Sequence, residues 1–172
     1  MVILVTGGAS SGKSAFGEYL ARSLKTEEKT RLIYLATMEP FGEEGRRRIQ
    51  RHLRQRSGKG FTTLEQYRNI GEAKVLPGDT VLLEDVGNLL ANEMFLEEEV
   101  CLDALHKVYS GIKGLALRCK NLVIITGEVG AGGDYPNQSG EYVRNLGTVN
   151  CRLGAFSQQV YLVQVGIPER IK

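Results

Sequence analysis

The stretch Gly7-Gly-Ala-Ser-Ser-Gly-Lys-Ser14 decides how this chain is read. It has the spacing G-x-x-x-x-G-K-[ST], follows the apolar run Val2-Ile-Leu-Val5 and opens a helical pattern, Ala15-Phe-Gly-Glu-Tyr-Leu-Ala21. Strand, glycine loop and helix in that order is the context in which the spacing works as a phosphate cradle. Glycines let backbone N–H groups turn inward, and the helix N-terminus adds positive potential. Gly7, Gly8, Ala9, Ser10, Ser11 and Gly12 are therefore expected to wrap the phosphates of a nucleotide. Lys13 would reach the β and γ phosphates, and Ser14 would ligate Mg²⁺.

Outward from this loop, nearly continuous apolar runs recur at Val2 to Val5, Leu32 to Leu35, Val81 to Leu83, Leu122 to Ile125 and Val160 to Val165. Strands that are apolar throughout are buried on both faces, as in a parallel sheet covered by helices. Helical spacing is predicted at about 13–24, 42–56, 88–118 with a break near Glu97, and 140–157, and a weak strand at Phe61 to Leu64. The alternation predicts an α/β fold of the P-loop NTPase, RecA-like type, with a mostly parallel sheet and helices on both faces. A carboxylate after a neighbouring strand should complete the metal site. Val81-Leu-Leu-Glu-Asp85 offers Glu84, in preference to Asp85. The Gly-rich run from Gly127 to Asp134 follows a strand and is expected as a loop at the carboxyl edge, where such folds bind ligands.

A length of 172 residues, with 42% hydrophobic and 24% charged, predicts one domain over 1–172 with a real core. Cys101, Cys119 and Cys151 lack metal-site spacing and read as reduced thiols. The start lacks signal-peptide character and no run is long enough for a membrane span, which predicts a cytoplasmic protein. The formal net charge of +2 gives no global pull toward a polyanion. The average hides a division, however. Residues 43–60 carry seven positive and two negative charges, or +5, leaving −3 for the rest. On a helix, Arg48, His52 and Arg56 would form one row at i, i+4 and i+8, a plausible polyphosphate clamp. Cations around His52 disfavour imidazolium, and a neutral imidazole can attack phosphorus. A solvated basic face, or a surface for nucleic acid, reads the same residues differently. His106, in a probable helix, has no comparable setting.

Together these stretches resemble the adenosylcobinamide kinase/adenosylcobinamide-phosphate guanylyltransferase family of cobalamin biosynthesis. The resemblance is carried by Ile3 to Ser14, Tyr34-Leu-Ala-Thr37, Arg48-Ile-Gln-Arg-His52, Arg56, Phe61, Thr63, Glu65, Leu82-Leu-Glu84, Asn92, Glu128-Val-Gly130, Pro136, Arg144, Asn150, Gly166-Ile-Pro168 and Lys172. It implies phosphorylation of adenosylcobinamide with ATP or GTP, then transfer of GMP from GTP to adenosylcobinamide phosphate through a histidine matching His52. By resemblance, His52 and Lys13 are the catalytic residues. Ala36, Thr37, Met38, Leu53, Arg54, Gln55, Arg56, Glu65 and Glu84 join the loop residues in binding nucleotide, with Ser14 and Glu84 on Mg²⁺. It also implies a homotrimer and no nucleic-acid partner. The sequence departs from the family's pattern at Glu84-Asp-Val-Gly87, Gly127, Phe61 and Asn145, mostly at the carboxyl edge where the acceptor should bind. Two other readings stay open: a P-loop NTPase that binds nucleic acid through its basic helix, and a monofunctional small-molecule kinase.

Overall fold

The computed structural model describes residues 1–40, 42, 43, 47, 50, 54, 58–96, 99, 100, 103–128 and 137–172. In chain order the elements are β1 (Val2–Thr6), α1 (Lys13–Leu24), β2 (Leu32–Ala36), β3 (Thr62–Glu65), a 3₁₀ turn (Ile70–Glu72), β4 (Thr80–Glu84) and α2 (Val86–Met94). They continue with β5 (Phe95–Leu96), β6 (Glu99–Val100), α3 (Ala104–Arg118), β7 (Asn121–Ile125), α4 (Asn137–Phe156), β8 (Gln159–Gln164) and β9 (Ile167–Arg170). Seven strands form one sheet in the order β3-β2-β4-β7-β1-β8-β9, and β5 pairs with β6 apart from it. Every neighbouring pair in the large sheet is parallel except β8 with β9.

The apolar runs explain this sheet. In β1, Val2 and Leu4 face one core with Leu89 and Leu90 of α2, Val108 and Ile112 of α3, and Leu146 and Leu153 of α4. Ile3 and Val5 face the other, with Ala21, Phe16 and Leu20 of α1. Alternate residues thus meet different helices, and both faces are buried, which is why the strands read as continuous rather than alternating. The ends are tied as well as packed. Asp79, 1% exposed, accepts two bonds from Arg31 at 2.5 and 3.1 Å and one from the Leu76 N–H at 2.8 Å, fixing the turn that starts β4. Burial pushes the Asp79 carboxyl up, but these bonds outweigh it and hold it below its ordinary value.

Several sequence-based boundaries shift. Among the described residues, the span predicted as a helix over 88–118 comprises α2, the β5–β6 pair and α3. Helix α2 begins at Val86, two residues early, because the Asp85 carboxylate accepts from the Asn88 N–H at 2.6 Å and caps it. The weak strand at 61–64 is β3, at 62–65, an edge of the parallel sheet. The last run ends at Gln164: Val165 is in a turn, and β9 adds an antiparallel edge strand that its Pro168 obscured. Most of the basic segment lies outside the described residues, and Glu43, Arg47, Gln50 and Arg54 within it are helical.

Candidate active site

The glycine loop joins the carboxyl end of β1 to α1, in the middle of the sheet. Its two tight glycines are required by different neighbours. Gly7 has φ +152, and a Cβ there would lie 2.4 Å from the Val163 carbonyl oxygen of β8. Gly12 has φ +97, in the left-handed region, with a would-be Cβ 3.2 Å from Gly166 Cα. Gly12 also stands at the N-cap of α1 without a side-chain cap, and the first turn of α1 holds no acid. The helix therefore keeps its terminal N–H groups and its positive end for an anion. Ser10 is held at φ +58. The Ser11 hydroxyl is shielded and has no hydrogen-bond partner among the described residues. Lys13 Nζ donates to the Gly8 carbonyl at 3.0 Å, so the ammonium lies folded over the loop, within reach of anything the loop would hold.

The Ser14 hydroxyl donates to Glu84 Oε1 at 2.5 Å. That contact joins the first turn of α1 to the end of β4, two strands away. Burial raises the pKa of Glu84, the nearby Asp85 charge adds to this, and hydrogen bonds from Ser14 and Tyr34 oppose it. A buried carboxylate held beside a serine hydroxyl, with its own charge disfavoured, is a good partner for a cation. Two protein oxygens suit Mg²⁺, which fills its other positions with water and phosphate. Among the described residues no group of three or more His, Cys, Asp or Glu side chains could hold a metal by itself. One serine hydroxyl beside one carboxylate is a donor set that would fit a metal carried in by a nucleotide's phosphates.

Strand register extends the site sideways. Ala36 of β2 is opposite both Glu84 of β4 and Glu65 of β3, so Glu65, Ala36 and Glu84 form one row along the carboxyl edge. At about 4.8 Å between strands, the row spans roughly 10 Å of backbone. Glu65 Oε2 accepts from the Tyr67 hydroxyl at 2.7 Å, and burial, with Glu65 second, pushes that phenol up to about 12. Residues 43–60, the basic segment, lie between β2, which ends at this edge, and β3, which starts at the opposite one. His52, Leu53, Gln55 and Arg56 lie outside the described residues, while Arg54 is helical and exposed.

One part of the edge was not legible as a unit. Thr37 is fully buried, its hydroxyl donating to the Asp85 carbonyl at 2.8 Å and accepting from the Asp85 N–H at 2.7 Å. The Asn92 amide, from α2, donates to the carbonyls of Thr37 and Tyr67 at 2.7 and 2.9 Å. This latch fixes the ends of β2 and β4, and with them Ala36, Met38 and Glu84. Only the threonine and asparagine carried a sequence signal for it. On the other flank, Asn150 of α4 accepts from the Thr126 hydroxyl at 2.7 Å and donates to the Gly127 carbonyl at 3.1 Å, and the Glu128 N–H bonds Gly7 O at 3.3 Å. The start of the Gly-rich segment is thereby anchored beside the phosphate loop, and residues 129–134 of it lie outside the described residues. The Tyr142 hydroxyl donates to Gly87 O at 3.2 Å, and burial pushes its pKa to about 12.

The sequence profile of the cobinamide kinase / cobinamide phosphate guanyltransferase family matches residues 3–171. The chain belongs to that family. It is 30% identical to the bifunctional adenosylcobalamin biosynthesis protein CobU of Escherichia coli and 32% identical to the protein of the same name from Salmonella typhimurium. Both alignments run over 187 residues and cover all of each chain. Among solved structures, the ATPase domain of G40P is similar with a TM-score of 0.53 at 11% identity, covering 94% of this chain and 68% of that one. That likeness concerns the fold, a P-loop, RecA-like α/β architecture. As a family member the protein is a nucleotide-dependent kinase and guanylyltransferase of adenosylcobalamin biosynthesis. Among the described residues no helix is long and apolar enough to cross a membrane.

Proposed function

We propose that this chain, acting as one domain over residues 1–172, catalyses both steps on the corrinoid side chain from a single phosphate loop. In the first, the aminopropanol hydroxyl of adenosylcobinamide attacks the γ phosphorus of ATP or GTP. A P–O bond forms, the bond to the β phosphate breaks, and the nucleoside diphosphate leaves. In the second, a neutral ring nitrogen of His52 attacks the α phosphorus of GTP, pyrophosphate leaves, and GMP is held as a phosphoramidate. A phosphate oxygen of adenosylcobinamide phosphate then attacks the same phosphorus and His52 leaves, giving adenosylcobinamide-GDP.

The observation that carries this reading is the Ser14–Glu84 contact, because it ties the phosphate loop to the row Glu84, Ala36 and Glu65, where β2 ends and the chain leads into the segment bearing His52. Gly7, Gly8, Ala9, Ser10, Ser11 and Gly12 would present N–H groups to the β and γ phosphates, which Lys13 would neutralise as they become the leaving pyrophosphate. Ser14 and Glu84 would hold Mg²⁺, which when bound screens charge between the terminal phosphates. Thr37, Met38, Leu53, Arg54, Gln55, Arg56 and Glu65 would line the nucleotide on the β2–β3 side. We place the enzyme in the cytoplasm as a homotrimer. Separate turnover assays test the proposal: adenosylcobinamide with ATP or GTP, and adenosylcobinamide phosphate with GTP. Activity in both supports it. Activity in the first alone leaves a monofunctional kinase and overturns the bifunctional reading.

A further inference from the structure

Strand β7 lies between β1, which leads into the phosphate loop, and β4, which ends in Glu84. A γ phosphate held by the loop on one side and, through its metal, by Ser14 and Glu84 on the other therefore sits over the carboxyl end of β7, within the roughly 10 Å that separate β1 from β4. The residues that follow β7 border that phosphate. The first of them are Thr126, Gly127 and Glu128, and of these Glu128 alone carries an ionisable side chain.

The main chain there is fixed. The Thr126 N–H donates to Val5 O at 3.0 Å and the Glu128 N–H to Gly7 O at 3.3 Å, so the parallel pairing of β7 with β1 runs on into the first residue of the loop. Asn150 accepts from the Thr126 hydroxyl and donates to the Gly127 carbonyl, which secures the two residues before Glu128. Glu128 itself is exposed, and among the described residues its carboxylate makes no hydrogen bond or ion pair. Other carboxylates at this edge are engaged: Glu39 with Arg68 at 3.1 Å, Glu65 with the Tyr67 hydroxyl, Glu84 with Ser14, and Asp85 with the Asn88 N–H that it caps. A carboxylate mounted on fixed backbone beside the γ phosphate, and not used to hold the fold, is placed to take a proton from an attacking group.

We propose that Glu128 is a catalytic residue, the general base of the kinase step. The acceptor hydroxyl oxygen bonds to the γ phosphorus, and the bond from that phosphorus to the bridging oxygen breaks, its electron pair leaving with the nucleoside diphosphate. The hydroxyl proton passes to the Glu128 carboxylate and from there to water. Guanylyl transfer makes no such demand, because a neutral imidazole and then a phosphate oxygen attack without a hydroxyl proton to remove. The inference rests on the reading that the loop serves both steps, and it assigns to one of them a residue that the other does not need.

Glu128→Gln keeps the size of the side chain and removes its basicity. Steady-state turnover of the full chain with Mg²⁺ is measured separately for adenosylcobinamide with ATP or GTP and for adenosylcobinamide phosphate with GTP. Kinase kcat should fall about 100-fold, with the KM for adenosylcobinamide and the rate of guanylyl transfer each within about twofold of wild type. Retained guanylyl transfer also shows that the variant is folded. Unchanged kinase turnover overturns the inference. So does a higher KM at unchanged kcat, which would make Glu128 a binding residue, and so does an equal loss in both reactions, which would mean that it acts through the phosphate loop. If the wild type transfers GMP but leaves adenosylcobinamide unphosphorylated, the kinase reading itself has failed, and the inference falls with it.

Discussion

Gly7→Ala and Gly8→Ala place the same methyl group one residue apart, and their consequences should differ sharply. At Gly7 the added Cβ would sit 2.4 Å from the Val163 carbonyl oxygen and 2.8 Å from the Ser11 hydroxyl, at φ +152. The carbonyl belongs to a strand paired with β1, so it cannot swing away as a side-chain tip could. Restoring ordinary contact requires the loop and β8 to separate by about 1 Å. Overpacking costs about 1–3 kcal/mol and a strained backbone a similar amount. With partial relaxation, a net loss of about 2–4 kcal/mol follows, or roughly 5–15 °C in the thermal midpoint for a chain of this size. Displacement of the phosphate cradle by that distance should lower kinase turnover about 100-fold. At Gly8 the new Cβ meets nothing within 4 Å, and stability should stay within about 0.5 kcal/mol of wild type. Differential scanning calorimetry of both variants is the assay. Equal midpoints for the two would refute the claim that β8 presses on the loop at Gly7.

Two further predictions follow from buried carboxylates with opposite shifts. Glu84 has its folded pKa raised, chiefly by burial, so its favourable contribution is present below the ordinary carboxylate pKa and is lost as pH rises through the folded value. Glu84→Gln should therefore raise the melting temperature of the metal-free protein at pH 7 to 8, with the gain vanishing near pH 4, while removing Mg²⁺-dependent turnover. A pH-independent melting difference would contradict this. Asp79 has its pKa lowered, so its contribution is present above the ordinary aspartate pKa and is lost as pH falls through the lower folded value. Asp79→Asn should cost about 2–3 kcal/mol at neutral pH, seen as a smaller urea midpoint with unchanged slope, and the deficit should shrink below pH 4.

The parts of this molecule that could be read from sequence are those where local chemistry and global position agree. The run Val2 to Val5, the glycine spacing and the amphipathic start of α1 each point to the same loop, and Glu84 ends a strand whose four preceding residues are buried. Register was not legible. That Glu65 and Glu84 share a row depends on β2 lying between β3 and β4, a long-range pairing that local patterning does not encode. Nor was the Thr37–Asp85–Asn92 latch, because it joins the ends of three elements through main-chain atoms. Val165 was misread for a clear reason: a β-branched apolar residue after Val163 looks like more strand, and only the pairing of β9 turns the chain there. The same strand carries Pro168, which breaks the pattern by which a strand is recognised yet is tolerated at a sheet edge.

In the proposed mechanism GMP passes through His52. Incubation with GTP labelled at the α phosphate, followed by denaturation, measures it most directly. The wild-type enzyme should carry a protein-bound label, stable to alkali and labile to acid, that is discharged by adenosylcobinamide phosphate and absent from His52→Ala. A label that persists in His52→Ala, or no label in a wild-type enzyme that still makes adenosylcobinamide-GDP, would contradict it.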